Sequence, residues 1–133
     1  MSSNRKMLKI LSLAQIVFAV LCFVMASLVF NGTPRVKGDA DVLTFLTANL
    51  DAVLCTIAAF LTAFCAIDGI KGANRPSALG AHLVVAILVA IAGAAACALS
   101  PAIKGLSIVC ALDAALAIAA AVFDKKVRAE IDR

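Results

Sequence analysis

Two carboxylates stand in stretches where an apolar chain has little reason to keep them. Asp51 lies within Leu50-Asp51-Ala52-Val53-Leu54 and Asp113 within Leu112-Asp113-Ala114-Ala115-Leu116. At the centre of a bilayer a carboxylate costs about 2.5–3.5 kcal/mol on insertion scales, so it must be paired, solvated in a cavity or protonated. A pair of such groups could bind a proton or a small cation inside a helical bundle. A structural role is the competing expectation, with Thr47, Asn49 or Gln15 hydrogen-bonding a carboxyl group and locking helices together. His82 is the single histidine and the one side-chain type whose ordinary titration falls near neutral pH. It stands about a turn inside a predicted helix, where a hydrogen-bonding role is expected.

The five cysteines, Cys22, Cys55, Cys65, Cys97 and Cys110, all fall inside apolar runs. Their number is odd and no CxxC pair occurs, which argues against a disulfide framework. None lies at metal-ligand spacing from another or from the histidine, so they read as small, soft packing residues and no metal is expected. Phosphate-binding glycine loops, HExxH and GxSxG are absent, and the connections are too short to house a soluble active site. No enzymatic activity and no cofactor are expected.

The elements that must position these residues follow from composition. Of 133 residues, 64% are hydrophobic and 15% charged, and the mean hydropathy is +1.08, against about 45–50% and about 25% in soluble domains. A soluble domain of this size has too little interior for so much apolar material. The composition therefore excludes a disordered chain, a nucleic-acid-binding domain and most small soluble enzymes, and implies an integral membrane protein. Spans need roughly 20 apolar residues, and four fit, at residues 10–30, 42–67, 78–99 and 102–123. Helices satisfy their own backbone groups in lipid. The fold expected is all-α, one membrane domain over residues 1–133 forming a four-helix bundle with four transmembrane helices.

Turn chemistry separates the spans: Asn31-Gly32-Thr33-Pro34, then Gly69 and Gly72 before Asn74-Arg75-Pro76-Ser77, then Ser100-Pro101. Asp39 or Asp41 is suited to cap the second helix. Nine Lys and Arg residues fall on the side holding both tails and the Lys71/Arg75 loop, and three (Arg35, Lys37 and Lys104) on the other. The excess of positive charge on cytoplasmic flanks then puts both termini in the cytoplasm. The charged tail from Asp124 should extend the fourth helix a turn or two past the membrane.

Small and weakly polar residues recur at spacings of three and four. The series are Ser12, Gln15, Ala19, Cys22 and Ala26; Thr44, Thr47, Asp51, Cys55, Ala58, Thr62 and Cys65; His82, Ala86, Ala90, Gly93, Cys97 and Ser100; and Cys110, Asp113, Ala117 and Ala120. That spacing defines one face per helix, and small faces let membrane helices approach closely. A left-handed bundle with Leu, Ile, Val and Phe turned to lipid is expected, its Ala-rich third and fourth helices packing closest.

Two functions are compatible with this pattern. The preferred expectation is a structural or accessory subunit that packs against a larger membrane complex through its Ala and Gly faces, because the expected bundle is close-packed and its polar groups are few. The alternative is a small oligomeric transporter or channel that uses Asp51 and Asp113 for proton or cation coupling. The expected partners are the lipid bilayer and either further copies of the chain, as a homo-oligomer, or a larger membrane protein, and no nucleic acid; the plasma membrane is the expected location.

Overall fold

A computed structural model describes residues 2–32, 41–99 and 104–131. Among the described residues the regular elements are helical: α1 (Ser3–Phe30), α2 (Val42–Ala48), α3 (Leu50–Asn74), α4 (His82–Leu99) and α5 (Lys104–Ile131), with a 3₁₀ turn at Pro76–Ala78. Four helices are long and apolar enough to cross a membrane: Ser3–Phe30, Leu50–Asn74, His82–Leu99 and Gly105–Glu130. At a rise of about 1.5 Å per residue, even the shortest of these approaches the thickness of a hydrocarbon core. Thr33, Pro34, Arg35, Lys37, Asp39, Ser100 and Pro101, on which the expected turns and part of the charge count rest, lie outside the described residues.

Local chemistry explains where the helices start and stop. Ser2 caps α1 by accepting a hydrogen bond from the Arg5 amide at 3.3 Å. Asp41 caps α2, its Oδ1 accepting from the Thr44 amide at 2.8 Å. Hydrogen bonds from Thr44 hold the Asp41 carboxyl below its ordinary range, so this cap persists at neutral pH and is lost as pH falls through that lowered value.

The stretch expected as one span at 42–67 is divided. Asn49 leaves helical geometry at φ −111° and ψ 34°, and its Nδ2 donates to the Phe45 carbonyl at 3.0 Å. The chain therefore restarts as α3, which continues to Asn74. After α3, Pro76 opens the 3₁₀ turn, and Gly80 takes a left-handed φ of +50°, a conformation that favours glycine. The expected start at residue 78 thus falls in the turn, and α4 begins at His82. As expected, α5 runs well past residue 123, to Ile131.

The long helices form a ring in which α1 and α4 each pack against both α3 and α5. The most extensive contact is α1 with α3, followed by α4 with α5. A Cβ at Gly93 would meet the Cys110 carbonyl at 2.9 Å, so α4 and α5 come backbone to backbone there. One end of the bundle, called here the terminal end, gathers both ends of the described chain. Ser2 Oγ and Asn4 Nδ2 donate to Glu130 at 2.8 and 2.7 Å, and Arg5 donates to the Ala73 and Asn74 carbonyls at 2.7 and 2.6 Å.

Burial is inverted relative to a soluble domain. The interior is mostly Ala, Cys, Gly and polar residues, with Leu8, Leu79, Val89, Leu106 and Val127 among them, whereas Ile10, Val17, Val20, Leu28, Phe60, Phe64, Ile91 and Ile118 are exposed. The expected α1 face is buried throughout, as are Asp51, Cys55, Ala58, Thr62 and Cys65 of α3 and the whole Cys110, Asp113, Ala117, Ala120 series of α5. On α4 the buried face is His82, Ala86, Val89, Ala92, Gly93 and Ala96, leaving Ala90 and Cys97 half-buried.

Candidate functional site

The polar side chains on these faces are stacked in layers along the bundle. Nearest the terminal end, His82 Nδ1 lies 2.5 Å from Asp124 Oδ2, and both side chains are fully buried. Asp124 Oδ1 accepts from Arg128 Nε, while Arg128 Nη2 donates to the Gly80 carbonyl at 2.8 Å. One carboxylate thus gathers α4, α5 and the turn before α4. Across from it, Ser12 and His82 both crowd Gly69: a Cβ there would lie 2.0 Å from Ser12 Oγ and 3.1 Å from His82 Nε2. Gly69 is the gap in α3 into which α1 and α4 project their polar atoms.

Three residues further along α1, Gln15 Nε2 donates to Cys65 Sγ at 3.5 Å. Deeper still, Thr62 Oγ1 donates to Asp113 Oδ2 at 2.7 Å, joining the diagonal helices α3 and α5. Asp113 is fully buried. Eleven residues separate it from Asp124, about 16 Å along the helix. Beyond Asp113, the thiols of Cys22, Cys55 and Cys110 converge from α1, α3 and α5 to within 4.8 Å of one another. Cys55 Sγ donates to the Cys22 carbonyl at 3.1 Å, and Cys110 Sγ lies 3.4 Å from Cys55 Sγ.

Four buried polar atoms in these layers have no hydrogen-bond partner: Ser12 Oγ, Gln15 Oε1, His82 Nε2 and Asp113 Oδ1. Each such atom costs about 1–3 kcal/mol, and buried unsatisfied groups are rare in native proteins. All four lie along this one column.

The residues singled out in the sequence divide between this column and its surroundings. Asp113, Gln15 and His82 belong to it. Asp51 lies in the first turn of α3 rather than deep in a continuous span, and its Oδ1 accepts from the Ala52 amide at 2.8 Å. Asn49 is spent on the Phe45 carbonyl. Thr47 is exposed and donates to the Leu43 and Thr44 carbonyls of its own helix at 2.9 and 3.1 Å. Neither serves as a partner to Asp113; Thr62 does.

Asp124, expected at the start of a charged tail beyond the membrane, is instead fully buried against His82. A signal for it existed, because Cys110, Asp113, Ala117, Ala120 and Asp124 continue one spacing of three and four. The thiol convergence had no comparable signal, since its members come from three helices and depend on helix register. No protein-family model, curated protein or solved structure matches this chain, so the geometry of the column carries the functional argument.

Proposed function

We propose that the chain is a multi-pass protein of the plasma membrane, both termini cytoplasmic, that moves protons, or a small cation in exchange for them, through the centre of its bundle. Asp113 is the carrier in this reading. The observation that carries it is the Asp113 carboxyl: buried in the middle of an apolar helix, held through one oxygen by Thr62, with its other oxygen unpartnered. Intramembrane carboxylates that face a bundle interior commonly mark ion and proton paths. His82 and Asp124 stand between Asp113 and the Lys- and Arg-rich terminal end, where a proton would enter or leave. The open atoms of Ser12, Gln15 and His82 supply intermediate donors and acceptors. The accessory role expected from composition rested on a scarcity of polar groups, and their alignment on one axis shifts the balance toward transport.

A second reading keeps that accessory role. A groove of about 310 Å³ between α4 and α5 is floored by Ala86, Ala90 and Ala121 and rimmed by Ile87 and Ile118. Small residues of this kind admit a helix from another membrane chain.

Proton flux in proteoliposomes under an imposed pH gradient separates the two. Asp113→Asn keeps an acceptor for Thr62 and removes the exchangeable acid. Transport predicts flux in the unaltered protein and its loss in the variant, with the fold retained. Absence of flux from the unaltered protein, together with a stoichiometric foreign subunit after mild extraction, would establish the accessory role instead.

A further inference from the structure

We propose that Cys22, Cys55 and Cys110 form a three-coordinate site for a soft monovalent cation, Cu(I), at the end of the bundle core remote from the termini. The inference stands on the thiol geometry and does not depend on proton transport through Asp113. The three side chains are fully buried and come from three different helices. A trigonal centre with metal–sulfur bonds of about 2.3 Å sets its sulfurs about 4 Å apart. The Cys55 and Cys110 sulfurs stand 3.4 Å apart and all three lie within 4.8 Å, so sub-ångström adjustments close the site.

The surroundings select the ion. The same apolar cluster contains Ala26, Ala59, Ala96 and Leu106, with Met25 and Cys97 packed against it as half-buried neighbours. Thiolate and thioether sulfur favour Cu(I), whereas structural zinc and iron–sulfur sites ordinarily use four ligands. Charge points the same way. A monovalent cation that displaces one thiol proton leaves one thiolate and two thiols around it, and the net charge of the core is unchanged. A divalent cation must expel two protons to reach the same balance. Binding is therefore an exchange of one Cu(I) for one proton, with no electron transferred. Met25 and Cys97, at the margin of the cluster, offer sulfur ligands on a route inward.

The test uses the full-length protein in detergent with Cu(I) held by a chromophoric competitor under ascorbate, and Ag(I) as a probe that needs no reductant. One Cu(I) per chain is expected, with about one proton released. Cys22→Ser, Cys55→Ser and Cys110→Ser should each weaken binding by about 10–100-fold or more, the range seen for lesser disturbances of metal sites. X-ray absorption on the unaltered protein, which does not depend on any variant folding, should report three sulfur neighbours and no nitrogen or oxygen. Binding no tighter than in the triple Cys→Ser variant would overturn the proposal. So would nitrogen or oxygen ligation.

Discussion

His82 Nδ1 meets Asp124 Oδ2 at 2.5 Å across the α4–α5 interface, with neither side chain exposed. Forty-two residues separate the two in sequence, so the pair fixes the register of the second helical hairpin at its terminal end. Arg128 adds a second donor to the same carboxylate but is itself 38% exposed. Truncating one member of a buried pair leaves the other without compensation, which costs about 3–5 kcal/mol. His82→Ala and Asp124→Ala should each destabilise the bundle by about that amount in a reversible detergent-denaturation assay. Arg128→Ala should cost less, because solvent can replace its contribution. Equal losses for all three would mean that the exposed guanidinium contributes as much as the buried pair.

Gly69 makes a second, steric prediction. An added Cβ would stand 2.0 Å from Ser12 Oγ and 3.1 Å from Ser12 Cβ, and overpacking of this kind costs about 1–3 kcal/mol. Gly69→Ala should lower the midpoint of unfolding, and Ser12→Ala should recover part of the loss because it removes the nearest atom. A double variant no more stable than Gly69→Ala would place the strain against His82 instead.

How much of this was legible beforehand depended on whether the information was periodic. The small-residue faces of α1 and α5 follow a spacing that survives into the folded chain, so Ser12, Gln15, Cys22, Cys110 and Asp113 could be placed on the core from sequence. The break at Asn49 could not, because it rests on a side chain turning back to the Phe45 carbonyl within an otherwise continuous apolar run. Asp51 consequently stands at a helix start rather than deep inside one. Asp124 was hidden by its neighbours: Lys125, Lys126 and Arg128 give the segment the look of a solvated tail, although the helical face continues through it. The three-thiol convergence depends on the axial registers of α1, α3 and α5 together, which no single helix encodes.

Arg5 gives a prediction about the terminal end. Its guanidinium donates to the carbonyls of Ala73 and Asn74 at 2.7 and 2.6 Å, two acceptors left open at the end of α3. Arg5→Ala should cost about 1.5–3 kcal/mol, the range for hydrogen bonds to a charged group, and speed amide exchange in the turn around Pro76. Arg5→Lys should restore only part, since a lysine ammonium lacks the planar fork that reaches both carbonyls in a fixed geometry. Unchanged exchange in Arg5→Ala would show that Pro76 and Gly80 hold the turn unaided.

Thr62 and Asp113 allow function to be separated from packing. Thr62→Val strips the Asp113 Oδ2 of its donor and leaves a buried carboxyl group with neither oxygen satisfied, a loss of about 1–3 kcal/mol. Replacing both members by apolar residues of similar shape removes the polar requirement altogether, and such exchanges can be neutral or stabilising. Thr62→Val with Asp113→Leu should therefore unfold no earlier than the unaltered protein, and later than Thr62→Val alone. In proteoliposomes the same double variant should carry no proton flux, because the proposed carrier, the Asp113 carboxyl, is gone. A double variant that is stable and still conducts would exclude Asp113 as the carrier. One that is stable and silent, beside a conducting unaltered protein, would show that the chain retains this carboxyl group for transport at the expense of stability.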